Sequence, residues 1–166
     1  MRASLKGHVE IVSHLLSRGA EVNAEDAQKD TALSIAIAKR HEEVGLLLIS
    51  AGADKDHVNK YGWTPLMMAA GNGDLSTVRT LVLRGCDLNV ETRNGMTALV
   101  VAKSRGATDV VEALKEAGAL EKEALAEAKI VWAREKEERK NRPQTAEERP
   151  LTSEQRRRAQ SKIRVL

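Results

Sequence analysis

The sequence predicts an all-α solenoid of stacked helix-turn-helix units joined by β-hairpin loops. Three observations carry that expectation. Gly19, Gly52, Gly85 and Gly118 lie 33 residues apart, Thr31, Thr64 and Thr97 share the same step, and so do Ala36, Ala69 and Ala102. Independent residue types that agree on one period of about 20–50 residues mark a repeat array. The apolar content, 42% of 166 residues, is nearly all Ala, Leu, Val and Ile, with no Phe and only Tyr61, Trp63 and Trp132 as aromatics. A core of small and branched side chains suits closely packed helices.

Each element of the unit has a physical reason. Thr31, Thr64 and Thr97 stand where a side-chain oxygen can cap the free amides of an inner helix, and Pro65 stands where a missing amide proton costs little. Apolar residues at helical spacing follow, as in Val78, Leu81 and Val82 or Val110, Val111 and Leu114, and they predict an outer helix that stacks on neighbouring units. Gly52, Gly85 and Gly118 then fall where a helix end calls for a left-handed residue. A partial unit, ASLKGHVEIVSHLLSRGAEVNA, precedes the others. Aligning Gly7 and Gly19 leaves no room in it for a hairpin or for the first turn of the inner helix. It reads as a fragment or an internal start, which would expose the apolar side of the second repeat at an end where solenoids carry polar caps.

The motif Thr64-Pro65-Leu66-Met67-Met68-Ala69, with looser copies at Thr31-Ala32-Leu33 and Thr97-Ala98-Leu99, resembles the T-P-L-H-x-A pattern of the ankyrin repeat. The resemblance covers about residues 1–120. It implies L-shaped units whose hairpin tips and inner helices line a concave surface, with the outer helices as the convex back. The repeats are expected at about 1–24 (partial), 25–57, 58–90 and 91–120. Two departures bear on stability. The family's histidine is replaced by Ser34, Met67 and Val100, which removes its bond between neighbouring turns, and the inter-helix glycine kept at Gly7, Gly73 and Gly106 is Arg40 in the second unit, so that turn is either strained or reshaped.

Beyond the repeats, residues 121–140 read as a charged helix whose stripe of Ala124, Leu125, Ala128, Val131 and Trp132 caps the last repeat. Pro143 and Pro150 break helical structure, and residues 141–166 read as a flexible basic tail. The net charge of +3 belongs to that tail. Residues 1–120 hold 14 Lys and Arg against 15 Asp and Glu, residues 121–140 hold 6 against 6, and residues 141–166 hold 7 against 3. Arg156, Arg157, Arg158, Lys162 and Arg164 are therefore the candidate tail contacts. Three readings stay open for them: a solvated tail, a nuclear-import or nucleic-acid contact, and docking on a protein or acidic membrane.

Nothing points to catalysis. His8, His14, His41 and His57 lack the three- or four-residue spacing that sets two ligands on one helix face, and Cys86 is the sole cysteine, so neither a metal cluster nor a disulfide is expected. Cys86 replaces the Ala of positions 20, 53 and 119, which predicts a small half-buried side chain. Gly71, Gly73 and Gly85 are not followed by lysine in a phosphate-cradling pattern, and no nucleotide or other cofactor is expected. No run approaches the roughly 20 apolar residues of a membrane span, and no secretory signal opens the sequence. An intracellular protein, cytoplasmic or nuclear, is the expectation.

By the resemblance, partner-facing positions precede the inner helix and lie on its exposed rim. They map onto Ala27, Gln28, Asp30, Ala38 and Lys39, then Lys60, Tyr61, Trp63, Gly71 and Asn72, then Arg93, Asn94, Met96, Ser104 and Arg105. Tyr61 and Trp63 are the leading anchors, both expected at a solvent-facing hairpin tip, because aromatic residues and Arg dominate interface hot spots. Some members of the family are hydroxylated on a hairpin asparagine; Asn23 and Asn89 match that pattern, and the competing reading is an asparagine that bonds its own hairpin. The expected function is a non-enzymatic adaptor that binds another protein on the concave face. Its rivals are a nuclear or nucleic-acid-associated factor that uses the tail, and the targeting arm of a larger enzyme.

Overall fold

A computed structural model of the chain describes residues 1–120 together with positions 130, 133, 134 and 137. The chain divides into two units, Met1–Ala126 and Glu127–Leu166. Ile130, Ala133, Arg134 and Glu137 in the second unit are helical. The rest of the expected C-terminal helix, and the whole basic tail with Arg156, Arg157, Arg158, Lys162 and Arg164, lie outside the described residues.

The first unit holds α1 (Arg2–Lys6), α2 (Val9–Ser17), α3 (Ala32–Ala38), α4 (Glu42–Ser50), α5 (Pro65–Asn72), α6 (Leu75–Leu83), α7 (Ala98–Arg105) and α8 (Thr108–Glu116). Consecutive helices pair as α1 with α2, α3 with α4, α5 with α6 and α7 with α8. The odd-numbered inner helices stack on one another in order, and the even-numbered outer helices do the same.

The predicted caps are in place. Thr31, Thr64 and Thr97 are N-caps, and each hydroxyl accepts from the backbone amide three residues on, at Ser34, Met67 and Val100, at 3.3 Å. Two of the three replacements for the family's histidine have their own accommodation. The Ser34 hydroxyl accepts from the Thr31 amide at 2.9 Å and completes a capping box; Met67 is fully buried in the core.

The hairpin loops form tight turns, with no residue in a strand among the described residues. Each is closed by paired backbone bonds. Asp26 donates to Asp30, Asn59 to Trp63 and Thr92 to Met96, while Lys29, Gly62 and Gly95 donate back to Asp26, Asn59 and Thr92. Two bonds per loop close the turn but build no ladder.

The core runs the length of the stack. Leu33, Leu66 and Leu99 of the inner helices meet Val44, Leu48, Val78, Leu81, Val110 and Leu114 of the outer ones, all with negligible exposure. The first unit departs as its length requires. Its inner helix begins at Arg2, so the leucine found at 33, 66 and 99 has no counterpart. Ile11 and Leu15 are consequently 50% and 44% exposed, whereas their equivalents Val44 and Leu48 are buried. Apolar surface is exposed at this end, but it belongs to the first unit's own outer helix and not to the second repeat as expected, because the partial unit still covers Val44 and Leu48.

The turn between α3 and α4 is strained and keeps its shape. Arg40 sits at φ 61°, beside values of 74°, 69° and 68° for Gly7, Gly73 and Gly106. Its amide donates to Ile37 and that of His41 to Ala36, the same bonds that Gly106 and Ala107 make to Lys103 and Ala102. The flanking helices therefore hold an arginine in a conformation that suits glycine.

Candidate partner-binding face

The loop preceding α5 is held by a network centred on Asn59. This buried side chain accepts from the amides of Tyr61 and Trp63, both at 3.0 Å, and donates from Nδ2 to the Asp30 carboxylate of the preceding unit at 3.0 Å. Asp26 does the same for its own loop by accepting from the amides of Gln28 and Asp30, and the Thr92 hydroxyl accepts from Met96. Asn59 was not singled out by sequence reasoning. A short polar acceptor recurring at 26, 59 and 92 is the signal that marks the position.

Tyr61 stands on this braced loop and is 60% exposed. Its hydroxyl bonds Gln28 Oε1 at 3.3 Å, the Lys60 amide donates to the Gln28 carbonyl at 3.0 Å, and the Lys60 ammonium lies 5.0 Å from the Tyr61 ring centre. An aromatic side chain is thus displayed to solvent from two loops tied together.

Trp63 corrects the expectation of a solvent-facing anchor. It is half-buried, packs against the core, and approaches the inner helix at Gly71, where an added Cβ would stand 4.0 Å from the indole. The cause is its place immediately before the N-cap Thr64, from which a side chain lies back over the first turns of the helix, as in a hydrophobic staple. Met96 is half-buried at the equivalent place before Thr97.

Several other predicted residues are engaged between units. Asn72 donates from Nδ2 to the Ile37 carbonyl at 2.6 Å, and Asp30 accepts from Asn59 and from the Ser34 hydroxyl. Asn23 and Asn89 each accept, through Oδ1, the backbone amide of the next loop, at Asp54 and Leu120, with distances of 2.8 and 2.9 Å; Asp56 does the same for Asp87 at 2.7 Å. These asparagines bond the neighbouring unit and not their own hairpin. Lys39, Lys60, Arg93, Asn94 and Arg105 are exposed and Gln28 is half-buried.

Cys86 is buried next to the Lys55–Asp56 ion pair. Burial pushes its thiol up to about 11, and the Asp56 carboxylate adds to the effect. A thiol held protonated is a packing residue, with none of the thiolate character that a nucleophile needs. Both buried equivalents of this position, Ala53 and Ala119, are likewise small.

The helix-loop-helix stack with capped inner helices defines a helical repeat solenoid. The family model for ankyrin repeats (3 copies) matches residues 1–92 and again residues 67–129. The chain belongs to the ankyrin-repeat family, whose repeats are generally protein–protein interaction modules and typically non-enzymatic. No curated protein matched the chain. No helix among the described residues is long and apolar enough to cross a membrane.

Proposed function

We propose that the chain is an adaptor that holds a partner protein against the concave side formed by the inner helices and loop tips, and that it has no catalytic role of its own. The anchors are Tyr61, Arg93 and Arg105, with Lys39 and Lys60 beside them. The observation that carries this reading is Tyr61: a large aromatic ring left exposed on a loop that Asn59 and Gln28 hold rigid. A display site ordered before binding loses little freedom on association, so a few anchors suffice for affinity. Trp63, Asn72 and Asp30 support the face from beneath.

Affinity capture of partners from the source cells, compared with Tyr61→Ala, tests the reading. The variant is expected to bind the captured protein at least about tenfold more weakly, as an anchoring aromatic does, with an unchanged melting temperature. Equal capture by both proteins would overturn it. The second reading, a nuclear or nucleic-acid contact, rests on the excess of 7 cations over 3 anions in residues 141–166. It requires binding that falls steeply with salt and is lost on deleting those residues.

A further inference from the structure

The distribution of charge over the repeats bears on what kind of partner the inner side receives, an inference that rests on the proposed concave-face reading. The inner helices α1, α3, α5 and α7 contain no Asp or Glu; their ionic residues are Arg2, Lys6, Lys103 and Arg105, and Lys39 directly follows α3. The outer helices are the reverse, with Glu10, Glu42, Glu43, Asp109, Glu112 and Glu116 against Arg79 and Lys115. Residues 1–120 carry 14 cations and 15 anions, and the nine acids outside the outer helices lie in the loops and caps, so the inner helices are cationic because charges are sorted between the helix layers, not because the body is basic.

Helix dipoles account for part of this, since they favour cations in the last turn and acids in the first. Lys6 and Arg105 fit that cause. Lys60 and Arg93 do not, because they sit at loop tips on no helix, and Glu116 is the last residue of α8, against the dipole. The carboxylates nearest the tips are engaged, Asp26 by the amides of Gln28 and Asp30, Asp30 by Ser34 and by Asn59 of the next unit, Glu25 beside His57 at 3.7 Å, and Glu91 too has an interaction of its own. Lys6, Lys39, Arg93 and Arg105 are exposed and have no carboxylate partner among the described residues.

The cations also keep the repeat register. Lys6, Lys39 and Arg105 share one position of the 33-residue unit, and Lys60 and Arg93 share another. Stacked helices lie about 8–10 Å apart, which sets the step between equivalent side chains. An extended chain advances about 3.3 Å per residue, so about three residues of it span one repeat.

We propose that the inner side binds an extended, acidic protein segment that presents a carboxylate about every third residue, with an apolar side chain against Tyr61. Nucleic acid fits less well, because polyanion binding draws on a basic domain and this one has an acidic back and a net charge of −1 over residues 1–120.

The test uses the full chain and a labelled synthetic peptide of about 12 residues, enough to cross four repeats at about 3.3 Å per residue. It carries Glu at every third position and a single Leu among Gly and Ser. A peptide of the same composition with its Glu residues adjacent, and a single-stranded oligonucleotide, are the comparisons. Anisotropy titration should show the spaced peptide binding at least about tenfold tighter than the clustered one. Lys39→Glu combined with Arg93→Glu should weaken it by about tenfold or more, and Glu42→Lys should leave it unchanged. The basic tail is intact in all these proteins, so binding through the tail would ignore the double reversal and overturn the proposal. Equal binding of spaced and clustered peptides, or tighter binding of the oligonucleotide, would overturn it too. If the double reversal has no effect while Tyr61→Ala still abolishes capture of the cellular partner, the charge assignment fails and the concave-face reading stands; if capture survives Tyr61→Ala, the concave-face reading itself falls.

Discussion

Replacing Arg40 by glycine should stabilise this protein, and the expected size follows from its backbone. Arg40 is held at φ 61° where the equivalent residues are Gly7, Gly73 and Gly106. A residue with a Cβ gives up about 1–2 kcal/mol in the left-handed region, while glycine loses about 0.5–1 kcal/mol more than other residues through its freedom in the unfolded chain. The balance favours Arg40→Gly by about 0.5–1 kcal/mol. The Arg40 side chain is exposed and forms no ion pair among the described residues, so its loss removes little to set against that gain. For a domain of this size the shift is about 2–4 °C in melting temperature. Urea denaturation followed by circular dichroism should show a higher midpoint at unchanged slope. The reciprocal change, Gly106→Arg, isolates the same quantity, because an added Cβ there meets nothing within 4 Å; it should lower stability by a similar amount. An Arg40→Gly midpoint at or below that of the wild type would refute the claim that this turn is strained.

Two other local features oppose stability in the same testable way. Gly45 lies inside α4, and a Cβ there would meet Ile37 at an ordinary 3.6 Å, so Gly45→Ala should add about 1 kcal/mol in a denaturant titration. The fully buried Thr77 hydroxyl has no hydrogen-bond partner among the described residues, and the equivalent residues are Ile11, Val44 and Val110; Thr77→Val should add about 1 kcal/mol, and a loss would show that the hydroxyl is hydrogen-bonded. Trp63→Ala should lower stability by about 2 kcal/mol because its half-buried ring leaves the core, whereas Tyr61→Ala should stay within about 1 kcal/mol. Paired thermal melts that show equal effects would contradict the placement of these two rings. Cys86 holds its proton up to about 11 in the fold, while the unfolded thiol ionises near its ordinary value of about 8.5. Its contribution is complete below that unfolded value and is lost as pH rises through about 11. Cys86→Ala should therefore flatten the alkaline decline of the melting temperature, and an unchanged decline would assign it to other groups.

Periodic and local features were legible in the residues alone. The 33-residue step of Gly19, Gly52, Gly85 and Gly118 located the helix ends, and Thr31, Thr64 and Thr97 located the helix starts. A cap or a left-handed turn is decided within about four residues, so its signal is contiguous in the chain. The strain at Arg40 was legible for the same reason, as a break in a period.

Which side chains the face displays depends on contacts between units. Tyr61 and Trp63 are two residues apart and alike in type, yet one ring is exposed and the other packs against the core and Gly71. Asn59 to Asp30, Asn72 to Ile37 and Asn89 to Leu120 join residues about 30 positions apart. A repeat period states that such residues lie in neighbouring units. Whether an amide turns inward to bond the next unit or outward to solvent depends on the stacking distance and the rotamer that the neighbour leaves open, and neither quantity is written in the residue types.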